Sequence, residues 1–109
     1  MEPVGESLVT VADYLASFLA EKNVSSVFEL SGGMIAFLTD AISQEGSVPI
    51  INMRHEQAAG FAAEGATRFS RVPSVALATS GPGATNLVTA VGSAFFDSTP
   101  VIFLSLIHI

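Results

Sequence analysis

The chain has 109 residues, half of them hydrophobic, with ten acidic side chains against four basic ones and a formal net charge of -6. That length supports one compact domain with a real core and leaves little room for a second, and the missing Lys/Arg cluster argues against a nucleic-acid partner. No cysteine is present, which excludes disulfides, thiolate metal sites and a cysteine nucleophile and is compatible with a cytoplasmic protein.

The first six residues, Met1-Glu2-Pro3-Val4-Gly5-Glu6, lack the positive and apolar regions of a secretory signal. They are expected to form a flexible start, residues 1–6, ahead of a domain spanning residues 7–105. From Ser7, the positions Leu8, Val11, Ala12, Leu15, Phe18 and Leu19 follow three-four spacing, which predicts a helix capped by Ser7 and ending near Lys22 and Asn23. Val27-Phe28-Glu29-Leu30 reads as a short buried strand, Ser31-Gly32-Gly33 as a break, and Ile35, Leu38, Ala41 and Ile42 as a second helical stripe closed by Glu45-Gly46-Ser47.

Val48-Pro49-Ile50-Ile51 is short, β-branched and uncharged, as a buried strand would be. Ala58, Ala59, Ala62, Ala63 and Ala66 then repeat at helical spacing to about Phe69 or Ser70, with Arg68 and Arg71 complementing the negative end of that helix. Pro73 to Thr79 forms a third strand that ends at Ser80-Gly81-Pro82-Gly83. Leu87, Val88, Val91, Ala94 and Phe95 line one face of a fourth helix, Asp97-Ser98-Thr99 breaks it, and Pro100 to Leu104 is a fourth apolar strand. The longest charge-free run, Val72 to Phe96, is interrupted by Pro73, Gly81, Pro82, Gly83 and hydroxyl residues, so no membrane span is expected. Strands alternating with helices predict an α/β fold: a doubly wound parallel sheet with helices on both faces, in a single domain, joined by right-handed crossovers.

Three features then fall at one end of adjacent strands: Gly32-Gly33 after the first, Arg54-His55-Glu56-Gln57 after the second, and Ser80-Gly81-Pro82-Gly83 with Ala84-Thr85-Asn86 after the third. In such sheets ligands bind at the carboxyl ends of the strands, glycines let the backbone approach closely, and helix N-termini offer unpaired N–H groups. The plain reading of Glu56 is an acidic residue favoured in a helix's first turn. The functional reading is a buried carboxyl able to share a proton with a heterocyclic nitrogen. His55 reads as a hydrogen-bonded structural residue, since no second histidine stands at metal spacing, and no metal ligand is assigned in this chain. The Gly81-Pro82-Gly83 loop lacks the Gly-Lys-Ser/Thr of a P-loop and the three-glycine dinucleotide spacing.

The segments Arg54-His55-Glu56-Gln57-Ala58-Ala59-Gly60-Phe61-Ala62-Ala63-Glu64-Gly65, Ala78-Thr79-Ser80-Gly81-Pro82-Gly83-Ala84-Thr85-Asn86-Leu87 and Phe96-Asp97-Ser98-Thr99-Pro100-Val101, in that order, closely resemble the thiamine-diphosphate enzymes of the acetolactate synthase group. The resemblance runs from about Val9 to Leu104 and is to the N-terminal pyrimidine-binding domain. It implies that Glu56 is the glutamate that hydrogen-bonds N1′ of the aminopyrimidine, favouring the imino tautomer that takes the thiazolium C2 proton, a relay an amide could not perform. It further implies that Ser31, Gly32 and Gly33 lie against the pyrimidine and that Ser80, Gly81, Pro82, Gly83 and Asn86, with Phe95, lie near the cofactor. The implied substrate is a small 2-oxo acid. The implied diphosphate site, with its divalent metal, Mg2+, belongs to a separate domain of a partner subunit, so the parent is expected to be a homodimer or homotetramer, with FAD an option.

The family continues after the fourth strand with a Gly-Gln pair, where this chain reads Ser105-Leu106-Ile107-His108-Ile109. Residues 106–109 are therefore expected to be a non-native or truncated tail, and the chain alone, holding half a site, is expected to be inactive. Decarboxylation of 2-oxo acids or oxalyl-CoA is the alternative activity. A non-catalytic α/β ligand-binding module is the alternative of another class, although a receiver-like domain would want aspartates at strand ends, and Asp13, Asp40 and Asp97 lie in no predicted strand. A degenerate subunit kept for assembly is a third option, against which the intact Glu56 speaks.

Overall fold

The computed structural model describes residues 9–106. The expected flexible start, the Ser7 cap and residues 107–109 of the doubted tail lie outside the described residues. Thr10, extended at φ -74° and ψ 160°, accepts a hydrogen bond from Asp13 N and caps α1 (Val11–Glu21). The buried positions of α1 are Ala16 and Leu19, with Ala12, Leu15 and Ala20 packed beside them, whereas Val11 and Phe18 face outward. The apolar stripe is thus rotated from the expected one, because small alanines fill the tight space beneath the helix and the larger side chains are left outside.

β1 (Val27–Glu29) is buried throughout. It leads through a single 3-10 turn, Gly33–Ile35, into α2 (Ala36–Glu45). Ile35, Leu38, Ala41 and Ile42 are all buried, as their spacing predicts. β2 (Ile50–Asn52) departs from the expectation of a buried strand. Ile50 is half-buried and Ile51 and Asn52 are exposed, because β2 pairs with β1 on one side and with no strand on the other among the described residues. α3 (Glu56–Ser70) ends where Arg71 takes a left-handed conformation at φ 65°. β3 (Val75–Thr79), the short helix α4 (Pro82–Thr85), α5 (Val88–Phe96) and β4 (Ile102–Leu106) complete the chain.

The four strands are all parallel, in the order β2-β1-β3-β4. Alternation along each strand divides the core in two. Val27, Val75 and Leu77, with Ile102 and Leu104 alongside, pack under α1 and α2; Phe28, Ala76 and Ala78, with Phe103 alongside, pack under Ala59 and Ala63 of α3 and Leu87. This is the expected doubly wound α/β sheet, covered on both faces. β4 runs to Leu106, which sits in register with Thr79, so the strand extends two residues past the expected Leu104.

α3 lies close on the sheet because its inward residues are alanine and glycine. A Cβ at Gly60 would overlap that of Ala90. The far end of the helix is pinned to β3, where Thr67 Oγ1 donates to Ala63 O at 2.8 Å and accepts from Ser74 N at 3.0 Å. On α5 the inward face is Ala90 and Ala94, preceded by Leu87, while Val88, Val91 and Phe95 of the predicted stripe face outward with Phe96. The close approach of α3 selects the small residues of α5 and turns the large ones away. Gly60→Ala in the full-length protein is expected to destabilise by about 1–3 kcal/mol through overpacking. Gly65→Ala, where nothing lies within 4 Å of the new Cβ, is expected to stabilise by about 0.5–1 kcal/mol. Urea denaturation of both variants checks the pair, and equal effects would overturn the packing described.

Candidate functional site

The winding of the sheet reverses between β1 and β3. From β1 the chain moves to β2 on one side, and from β3 to β4 on the other. The helices that follow β1 and β3 therefore cover opposite faces, and their starts diverge above the carboxyl ends of these two strands. Open α/β sheets bind ligands in this crevice. The Ser31-Gly32-Gly33 turn follows β1 and the Ser80-Gly81-Pro82-Gly83 turn follows β3 at this point.

Thr79, the last residue of β3, separates the two turns. A Cβ on Gly32 would approach Thr79 Cβ to 2.7 Å, and one on Gly83 would approach Thr79 Cγ2 to 2.9 Å. Real side chains essentially never pack this closely, so both turns depend on a bare backbone. Gly81 has φ 73° and ψ -128°, a conformation that strongly favours glycine. Pro82 then starts α4 with its fixed φ. Thr85 Oγ1 donates to Gly81 O at 2.7 Å, which closes that turn.

Glu56 is the first residue of α3 and only 7% exposed. The helix start is held by His55, whose Nδ1 accepts from Gln57 N at 3.0 Å, the structural role its sequence context suggested. Asn86 Nδ2 donates to Glu56 Oε1 at 3.1 Å. Oε2 receives no hydrogen bond from the described residues and lies 3.3 Å from where a Gly83 Cβ would stand. Glu56 is thus a buried carboxyl with one oxygen fixed by an amide and the other turned to a bare stretch of backbone beside the crevice. Such a group can accept a hydrogen bond from a ligand or exchange a proton with it.

Glu56, Gly83 and Asn86 are in mutual reach, with Gly32 joined to them through Thr79. The remaining expected residues stand further out. Ser80 and Pro82 belong to the turn and the first residue of α4. Gly33 opens the 3-10 turn, with nothing within 4 Å of an added Cβ. Phe95 lines a separate groove with Val91, Ala94, Val101 and Phe103. Ser31 points to a partner that sequence reasoning passed over. Its Oγ donates to both oxygens of Glu29 at 3.3 Å, and Asn52 Nδ2 donates to Glu29 Oε2 as well. Glu29 is 2% exposed. The available signal was a lone carboxylate inside an apolar strand.

Glu64, also buried, is accounted for otherwise. It accepts from Ser93 Oγ at 2.9 Å and pairs with Arg68 at 3.2 Å, while Arg68 reaches Asp97 at 2.6 Å. That network ties α3 to α5 and to the turn that follows it. Among the described residues no group of three or more His, Asp or Glu is placed to hold a metal ion, and no helix is long and apolar enough to cross a membrane.

Against known proteins, the family described as "Thiamine pyrophosphate enzyme, N-terminal TPP binding domain" matches residues 9–108. The chain is 44% identical over 96 residues to the acetolactate synthase isozyme 1 large subunit of Escherichia coli (strain K12), a match that covers 88% of this chain and 17% of that protein. It is 40% identical over 94 residues to the chloroplastic acetolactate synthase of Arabidopsis thaliana, covering 86% of this chain and 14% of that one. The mitochondrial acetolactate synthase of Schizosaccharomyces pombe (strain 972 / ATCC 24843) is 41% identical over 96 residues, covering 88% and 14%. The chain thus spans 14–17% of the length of these relatives.

Removing the Asn86 amide leaves the Glu56 carboxyl buried without its side-chain donor. Asn86→Ala is expected to lower stability by about 1–3 kcal/mol. Asn86→Asp, which puts a second carboxyl in the amide's place, is expected to lower it further at neutral pH. Denaturation of the two variants at pH 7 checks this order, and the reverse order would overturn the contact.

Proposed function

The chain belongs to the thiamine pyrophosphate enzyme family, as its N-terminal TPP-binding domain, and from that premise we propose that it forms the pyrimidine-binding half of an acetolactate synthase-like carboligase acting on 2-oxo acids. Thiamine diphosphate, when bound, supplies a thiazolium carbon that adds to the carbonyl of such an acid. The observation that carries the reading is the state of Glu56: buried, fixed through Oε1 by Asn86, and free at Oε2 beside the crevice.

The residues present suit an aromatic nitrogen heterocycle. A ring nitrogen is a group that Oε2 can meet with a shared proton, and the bare backbone at Gly83 leaves that oxygen uncovered on one side. In this reading Glu56 holds the proton at Oε2 and passes it to and from the ring nitrogen, while Asn86 keeps the carboxyl turned the right way. Gly81 and Gly83 keep side chains out of the space above Thr79. The helix start at His55 fixes the point from which Glu56 projects.

The remainder of the site is assigned to parts of the parent protein outside this chain. The diphosphate and Mg2+ go to a separate domain of a partner subunit, which makes the parent a homodimer or a larger homo-oligomer. The large apolar side chains that α5 leaves exposed, Val88, Val91, Phe95 and Phe96, support such a partner. With half a site, the chain alone is inactive. Pocket residues that choose the second substrate lie elsewhere in the parent, so 2-oxo acid decarboxylation rests on the same machinery.

The test is the exchange of the cofactor's C2 proton for deuterium, followed by NMR in the full-length parent. Glu56→Gln, which keeps shape but cannot relay a proton, is expected to slow that exchange by a factor of about 10²–10⁴, the range for removing a general acid-base group. Exchange at the unaltered rate would overturn the role of Glu56 and favour a non-catalytic binding module.

A further inference from the structure

We propose that Glu29 is a positioning residue for the crevice, holding the Ser31-Gly32-Gly33 turn at the distance from Thr79 that ligand binding needs. The proposal rests on the thiamine-diphosphate reading above and concerns Glu29 and Asn52, to which that reading gives no part.

Among the described residues three glutamates are buried: Glu29 at 2%, Glu56 at 7% and Glu64 at 6% exposure. Glu64 has a cation, Arg68, within 3.2 Å. Glu29 has none among the described residues; its carboxylate is met by the Ser31 hydroxyl and the Asn52 amide alone. A buried charge held only by neutral donors is a poor source of stability, since an apolar side chain of the same size would do as well or better. Its placement gives it another use. Glu29 ends β1, Asn52 ends β2, and Ser31 opens the turn that follows β1, so a single carboxylate fastens the tips of two strands and the start of that turn.

From Ser31 the fastening reaches the site by contact. Gly32 lies against one side of Thr79, Gly83 against the other, and Glu56 Oε2 stands by Gly83. A turn released at Ser31 can back away from Thr79 and widen the crevice without disturbing the bond between Glu56 and Asn86. Glu29 therefore sets how tightly the cofactor is held, and leaves to Glu56 what happens to the cofactor once it is bound.

The donor pattern supplies a specific test. In Glu29→Gln the charge is lost and one of the two acceptor oxygens becomes a donor; with the remaining oxygen on the Asn52 amide, the new nitrogen meets Ser31 Oγ, which must turn from donor to acceptor. In the double variant Glu29→Gln with Asn52→Asp, donor and acceptor have changed places and the charge is kept. Titration calorimetry of full-length protein with thiamine diphosphate and Mg2+ is expected to give a dissociation constant raised about tenfold in Glu29→Gln and restored to within about threefold in the double variant. At saturating cofactor, kcat of Glu29→Gln is expected to stay within about threefold of the unaltered protein. Ser31→Ala, at an exposed position where folding is not at stake, is expected to weaken binding in the same sense. Unaltered binding in Glu29→Gln and Ser31→Ala, or no restoration in a folded double variant, would overturn the proposal. Should Glu29→Gln fail to fold, Ser31→Ala and the double variant decide it in the same way. Failure of the unaltered protein to bind thiamine diphosphate would instead overturn the functional reading on which it rests.

Discussion

Because the chain leaves β1 for β2 on one side and β3 for β4 on the other, the helices that follow β1 and β3 cannot share a face, and their starts separate above the strand ends. The right-handed crossover leaves no other choice. The candidate site residues are arranged around that separation. The glycine turns are the points at which the chain leaves the two strands, and α3, arriving from the far edge, brings Glu56 over the same opening.

The opening is kept narrow by small residues. Thr79 is flanked by backbone at Gly32 and Gly83, and the helix that carries Glu56 lies near enough to α5 for a glycine to meet an alanine at Gly60 and Ala90. A helix with larger inward residues would stand further from the sheet and lift its first residue away from Gly83. The alanine-rich sequence of α3 is thus a statement about distance as much as about helix propensity. The Thr67 hydroxyl, bonded to Ser74 N, fixes the other end.

Within this frame, polar groups taken out of water fall into two kinds. Glu64 is answered by a cation and joins one helix to the next, which is a structural use of burial. Glu29 and Glu56 are answered by neutral donors and lie at the carboxyl ends of the strands. In the interior, electrostatic interactions are stronger than in water, so a carboxyl left without a neutralising partner is a more effective acceptor for whatever is brought to it. Glu56 has one oxygen bonded by the Asn86 amide, whereas both oxygens of Glu29 are met by the hydroxyl of Ser31 and the amide of Asn52.

Periodicity along the chain was enough to determine the alternation of strand and helix, the parallel sheet, the α2 stripe of Ile35, Leu38, Ala41 and Ile42, and the position of Glu56 at a strand-to-helix junction, since these follow from local spacing. The motifs around Glu56, Gly81-Pro82-Gly83 and Pro100 determined the family. Tertiary structure alone decided what local spacing does not encode. It made β2 an edge strand, because strand order is a property of the whole sheet. It turned Val88 and Phe95 outward, because the approach of α3 admits only alanine on the inner side of α5. It joined Glu29 to Ser31 and Asn52 and Glu56 to Asn86, because residues far apart in the chain meet only when the strands have been laid side by side.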